Sequence, residues 1–362
     1  MSATPAPETT PAPATPSSAA TPPGSADELA RLPGYDPDGP VLRLSELQIK
    51  FRYRRAESCV VDGVSYEVAA GKTMAVVGES GCGKSMSVRA AMGILPPRAA
   101  VTAGTIHLHG VDLLRLERRR LQRLRGRRLA MIFQEPLSAL NPVLPVGYQV
   151  AEVFRAHERI GRAAAARRAV EMLDRVGIPA AKQRASDYPH QLSGGMRQRA
   201  MIAMALALAP DVLIADEPTT ALDVTVQAQI IELLANLQRE SGMALVLISH
   251  DMGVIADVAD QVAVMYAGRI VERAPTAALF AEPRHPYTRA LIDAIPRRGS
   301  RGKTLTVLPG APPDPARMPA GCPFQPRCPL AEGRCAEEAP PPQLVGARHE
   351  SCCHRWAEVT GS

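Results

Sequence analysis

The 362-residue chain lacks any apolar run long enough to cross a bilayer. Its longest, Ala200 to Ala209, is stopped by Arg199 and Pro210 and reaches about half of the roughly 20 residues a spanning helix needs. A bundle of membrane-spanning helices is excluded, so any membrane role is expected to be peripheral. The first residues also lack the basic start and apolar stretch of a secretory signal, which places the chain in the cytosol as an expectation. Aromatic residues are few, 13 in all with one Trp, and none is interleaved with the basic run Arg115 to Arg128. Stacking on nucleic-acid bases has little to work with.

With 46% hydrophobic and 22% charged residues, the composition is that of a globular chain. The length suggests one main unit with appendages. The net charge of +6 is concentrated in Arg115 to Arg128, which reads first as a solvated helix face. Seven cysteines in a cytosolic chain argue against a disulfide framework, and five of them lie beyond residue 320. That asymmetry points to a metal module.

Residues 1–40 hold ten of the 34 prolines among Ala, Thr and Ser, and are expected to form a disordered tail. From Val41 the pattern changes. Leu47, Ile49 and Phe51 alternate with polar residues, as do Val64, Tyr66 and Val68, which predicts half-buried strands in an antiparallel layer. Solid apolar runs at Met74–Val77, Val212–Ala215, Ala244–Ile248 and Val262–Met265 predict buried parallel strands. Helical patterns at Arg162–Val176 and Arg199–Ala209 lie between them. The alternation predicts an α/β nucleotide-binding core over 41–285. A short helix is expected at Tyr287–Ile295, and from Pro309 onward little but the cysteines offers a core.

Gly78-Glu79-Ser80-Gly81-Cys82-Gly83-Lys84-Ser85 fits the phosphate-binding pattern G-x-x-x-x-G-K-[ST], after a buried strand and at the start of a helix. The glycines let backbone N–H groups turn in around phosphates, Lys84 reaches the β and γ oxygens, and Ser85 can ligate Mg²⁺. Cys82 reads as a small filler. The strand Val212–Ala215 runs into Asp216, a natural Mg²⁺ partner, and Glu217, placed to polarise an attacking water. No internal repeat is visible, so a single nucleotide-binding unit is expected.

Leu192-Ser193-Gly194-Gly195-Met196 stands 23 residues before Asp216 and ahead of an apolar helix. With it the chain resembles the ATP-binding cassette (ABC) ATPases, whose signature usually ends in Gln where this chain has Met196. The resemblance implies a P-loop ABC ATPase with a RecA-like core, an antiparallel β layer and a helical subdomain. It also implies a head-to-tail dimer in which Ser193, Gly194 and Gly195 cap ATP bound by a partner. Gln134 resembles the Q-loop glutamine that contacts Mg²⁺, Ala221-Leu222-Asp223 the D-loop, and His250, 34 residues after Asp216, the switch histidine. Phe51 is the candidate for adenine stacking, with Tyr53 as runner-up. Catalysis would rest on Glu217, His250 and Lys84.

Within that family, Asp223-Val224-Thr225-Val226-Gln227-Ala228-Gln229-Ile230, His285-Pro286-Tyr287-Thr288 and the Pro-rich Cys tail resemble the ATPases of oligopeptide and dipeptide importers. The resemblance spans residues 41 to about 355 and makes 286–362 a C-terminal extension. Importers of nickel and other small solutes share these features. The implied partners are a homologous second ATPase, two transmembrane permeases and an extracytoplasmic peptide-binding protein, with the chain on the cytoplasmic face of the inner membrane. Cys322, Cys328, Cys335 and Cys353 fall at C-x5-C-x6-C-x17-C, with Cys352 an alternative fourth thiol. This spacing is wider than the tight pairs zinc usually takes, and similar tails in the branch favour a [4Fe-4S] cluster over zinc. A soluble cassette ATPase acting on nucleic acid or ribosomes is the rival reading. Against it stand the single cassette, the missing coiled-coil insertion and the scarcity of aromatics.

Overall fold

The alternation after Val41 is realised as two long strands, β1 (Leu42–Tyr53) and β2 (Ala56–Val68), in a computed structural model that describes residues 26–53, 56–220, 222–295 and 308–359. They are followed by β3 (Thr73–Val77), β4 (Ala99–Leu108) and β5 (Val111–Asp112). Strands β2-β1-β4-β5 form an antiparallel sheet whose inward residues, among them Leu44, Leu47, Ile49, Val61, Val64 and Tyr66, are buried.

The second sheet takes β3 together with β6 (Leu129–Ile132), β7 (Val212–Asp216), β8 (Ala244–Ser249), β9 (Gln261–Tyr266) and β10 (Arg269–Pro275). It is completed by the hairpin β11 (Gln343–Gly346) and β12 (His349–Ser351). Among the described residues its order is β11-β12-β10-β9-β3-β8-β7-β6. Strands β9, β3, β8, β7 and β6 run parallel. Because they are covered on both faces, the runs read as uninterrupted apolar residues, and β3, β7 and β8 are buried throughout. The helices Val146–His157, Arg162–Arg175 and Gly194–Leu206 pack on one another beside β6 and make the helical subdomain.

Residues 1–25 of the expected tail lie outside the described residues; within 26–40, which are mostly exposed, Leu29 is 1% exposed and the Asp36 N–H donates to the His109 carbonyl at 2.8 Å. The expected C-terminal extension, 286–362, adds its strands to the edge of the core sheet. Strand β12 pairs with β10, Glu272 opposite Ser351 and Arg273 opposite Glu350, so the core sheet continues into it. The His349 ring meets Glu272 at 2.7 Å with both side chains buried, and Arg273 grips both Glu350 oxygens at 2.9 Å. Phe324 supplies the apolar anchor that the sequence beyond Pro309 did not advertise, touching the rings of Tyr266 and Tyr287 at 5.2 and 5.4 Å.

Candidate nucleotide site

The loop 78–85 leaves the C-terminal end of β3 and enters the helix Lys84–Ala91, so the chain turns where parallel strands open toward a crevice. Two glycines are obligatory there. Gly83 has φ +100° and a Cβ on it would lie 2.4 Å from the Val60 carbonyl; on Gly78, at φ +151°, it would lie 2.1 Å from the Met265 carbonyl. Ser80 and Gly81 form the exposed tip, and Cys82 is buried beneath it, its thiol pushed up by burial, in keeping with a filler. Gly83 offers the helix no side-chain cap, which leaves first-turn N–H groups for an anion. Lys84, 4% exposed, donates to the carbonyls of Gly78 and Glu79 at 2.8 and 3.0 Å, folded back over the loop.

Strand β7 brings the acids to this loop. The Ser85 hydroxyl donates to Asp216 Oδ1 at 2.7 Å, while Asp216 Oδ2 is buried with no hydrogen-bond partner, 3.9 Å from Arg89. Burial pushes the Asp216 carboxyl up, opposed by the Ser85 hydroxyl and Arg89. A buried orphan oxygen beside a hydroxyl is the donor set a divalent cation would complete, so these residues fit Mg²⁺.

Glu217 follows in a left-handed conformation, φ +47°, which costs on the order of 1–3 kcal/mol and turns its side chain toward Lys84. Its Oε2 accepts from Gln134 Nε2 at 3.0 Å and from the Thr220 hydroxyl at 3.0 Å, with His250 Nδ1 at 3.6 Å and Lys84 Nζ 3.9 Å from Oε1. Residues 84, 134, 217 and 250, scattered in sequence, thus meet around one carboxylate. Thr220 was missed by sequence reading; its only signal is a hydroxyl three residues after the acid. Such a cluster can hold a water, take its proton and neutralise charge on a phosphoryl group.

Ser193, Gly194 and Gly195 are not part of this cluster. The Ser193 hydroxyl caps its helix, accepting from the Met196 N–H at 3.3 Å, and a Cβ on Gly195 would lie 2.8 Å from Val226. That helix packs in the helical subdomain, whereas the P-loop helix packs on β1 and β2. Phe51 is half-buried on β1, opposite Ser58 and Ala99; the side chain of Tyr53 and all of Ala221 lie outside the described residues. The switch is braced instead by Gln227, which donates to Asp251 at 3.1 Å.

The basic run divides. Arg115, Arg118, Arg119, Arg120 and Arg123 are exposed, while Arg125 donates to the Gly93 carbonyl and Arg128 pairs with Asp211 at 2.9 Å. In the extension, Cys322, Cys328, Cys335 and Cys353 line one recess with Phe324 and His285. Burial pushes the Cys322 and Cys328 thiols up, and that of Cys353 up to about 12. Among the described residues no three His, Cys, Asp or Glu side chains are gathered to hold a metal ion, so the [4Fe-4S] expectation and its zinc alternative gain no support from ligand geometry.

The comparisons agree with the geometry. The ABC transporter family matches residues 61–220, and the oligopeptide/dipeptide transporter C-terminal region matches 271–335. A putative peptide import ATP-binding protein of Brucella melitensis is 47% identical over 332 residues, 88% of this chain and 98% of the relative. The dipeptide transport ATP-binding protein DppD of Bacillus subtilis is 49% identical over 290 residues, 80% of this chain and 87% of that one. Among solved structures, a bacterial ABC transporter cassette, MJ0796, in its dimeric structure superposes with a TM-score of 0.59 at 25% identity, over 65% of this chain and 98% of that one. This chain belongs to the ATP-binding proteins of ABC transporters, in the branch that carries the oligopeptide/dipeptide transporter C-terminal region.

Proposed function

We propose that this chain binds and hydrolyses ATP to power peptide import by a multi-subunit transporter. The observation that carries the reading is the Glu217 carboxylate, fixed by Gln134 and Thr220 beside the P-loop lysine and the orphaned Asp216 oxygen. In this reading the loop amides and Lys84 receive the β and γ phosphates, Glu217 takes a proton from the attacking water, and His250 touches the γ-phosphate. Phe51 stacks on adenine. Ser85, Gln134 and Asp216 would hold Mg²⁺, which supplies charge neutralisation on the transferring group.

One chain supplies half of each composite site. Ser193, Gly194 and Gly195 belong to a different packing unit from the P-loop helix, which supports their capping a nucleotide held by a second cassette. A related cassette is dimeric in its solved structure. The second cassette is a homologous ATPase, and the pore is formed by two permeases fed by an extracytoplasmic peptide-binding protein. No described helix is long and apolar enough to cross a membrane, in keeping with peripheral docking at the cytoplasmic face of the inner membrane. Peptide is the cargo because relatives at 47% and 49% identity are named for peptide import and dipeptide transport.

The cysteine recess is assigned a [4Fe-4S] cluster on its all-sulfur donor set. Cys322, Cys328, Cys335 and Cys353 would hold it through their thiolates. The chemistry it supplies is a brace for a segment with a small core. Iron and acid-labile sulfide in protein purified without oxygen are expected; iron-free protein with one bound zinc overturns the assignment.

The test is reconstitution of this chain with its permeases and sister ATPase in vesicles. Peptide-stimulated ATP hydrolysis and labelled peptide uptake, both lost in Lys84→Ala, are expected. Uptake of nickel without peptide would redirect the cargo, and hydrolysis indifferent to Lys84 would remove the site.

A further inference from the structure

Arg327 lies in the extension, in the 3-10 turn Gln325–Arg327 just before Cys328. Its guanidinium donates to both oxygens of Glu79, at 2.6 and 2.9 Å, to the Tyr266 hydroxyl at 3.2 Å, and through Nε to the Pro309 carbonyl at 2.8 Å. The rings of Tyr266 and Phe324 flank it at 5.7 and 5.9 Å, and its side chain is 5% exposed. Glu79 is the second residue of the phosphate loop. Its N–H donates to the Tyr287 hydroxyl at 2.8 Å, and its carbonyl accepts from Lys84 Nζ at 3.0 Å. One loop residue is therefore held at its side chain and its N–H by the extension, and at its carbonyl by the lysine that meets phosphate.

We propose that Arg327 is a positioning residue for the phosphate loop. It fixes Glu79, and through Glu79 the carbonyl that orients Lys84, and it cancels a carboxylate that would otherwise repel an arriving triphosphate. A planar fork with two parallel N–H donors sets both position and rotation of a carboxylate, which a point charge does not. The loop is thereby arranged before nucleotide arrives. Loss of the contact falls on nucleotide affinity rather than on the chemical step, because the bonds that fix Glu217 come from Gln134 and Thr220 and not from Arg327. A plain staple of the extension is available for contrast: Arg273 clamps Glu350 across β10 and β12 with two bonds at 2.9 Å.

The inference rests on the nucleotide-site reading above, and the experiment separates the two. MgATP binding is measured on the full-length chain, and KM and kcat on the assembled transporter, for wild type, Arg327→Ala, Arg327→Lys and Arg273→Ala. Binding by wild type secures the site itself; its absence defeats the site reading and this inference with it. Arg327→Ala is expected to raise the ATP Kd and KM about tenfold with kcat within twofold, since a charge-assisted bidentate pair is lost. Arg327→Lys falls between, with faster amide exchange in residues 78–85, and stays informative if the alanine variant fails to fold. Arg273→Ala keeps the wild-type KM. Native Kd and KM in both Arg327 variants, or equal shifts in Arg327→Ala and Arg273→Ala, overturn the proposal.

Discussion

Gln134 donates its side-chain amide to the Glu217 carboxylate at 3.0 Å, across 83 residues of sequence. The bond ties the segment that leaves β6 to the acid that follows β7, two neighbouring parallel strands. Any shift of the Gln134 segment moves a donor onto or off that acid.

The Thr220 hydroxyl shares the same oxygen of Glu217, at 3.0 Å. Thr220→Val keeps the shape and removes the donor, freeing a carboxylate that already sits in a costly backbone conformation. We expect kcat to fall about tenfold with KM for ATP within twofold, by the loss of one bond to a charged group. An unchanged kcat would make Thr220 a bystander.

Gly83→Ala places a methyl 2.4 Å from the Val60 carbonyl at φ +100°. Neither the strand carbonyl nor the backbone angle can yield cheaply, so the loop must open. ATP binding should weaken by more than tenfold and stability fall by about 1–3 kcal/mol. Calorimetry and thermal unfolding measure both; wild-type affinity would mean the loop tolerates another path.

His285 is buried at the start of the helix Pro286–Asp293, where its Nδ1 accepts from the Tyr287 N–H at 3.1 Å and burial holds its pKa down to about 3. The fold favours the neutral ring, so as pH falls the unfolded chain takes up this proton first, below about pH 6.5. The stability His285 contributes is complete above that pH and is lost progressively toward pH 3, by up to about 1.4 kcal/mol per pH unit. His285→Asn retains an acceptor without titrating and should show a shallower loss of Tm with acid. Parallel Tm profiles for the two proteins would contradict this.

Local chemistry was legible in the sequence, and distant pairing was not. The apolar runs marked β3, β7, β8 and β9 to within a residue or two, because strands covered on both faces can carry nothing else. Lys84, Asp216, Glu217 and His250 stood in short motifs, and the fold brings Ser85 to Asp216 and places Lys84 and His250 within 3.9 Å of Glu217. Arg327 gave no signal: its partner Glu79 is 248 residues away, and a lone arginine in a Pro-rich tail has no periodicity to read. Continuation of the sheet through β12 was hidden for a similar reason, since β12 is three residues long and, besides its hairpin partner β11, pairs with β10, which is distant in sequence. Leu29 is a buried side chain in a segment whose composition reads as tail, and nothing in that composition marks it.

The most direct test is Glu217→Gln in the transporter assembled with its permeases and sister ATPase, with bound nucleotide and turnover measured on the same sample. An amide still accepts from Gln134 and Thr220 but cannot take a proton from water. ATP should remain bound in a closed pair of cassettes while hydrolysis at this site drops by at least about a hundredfold. Turnover at the wild-type rate, with no retained ATP, would contradict the assignment of this carboxylate as the base.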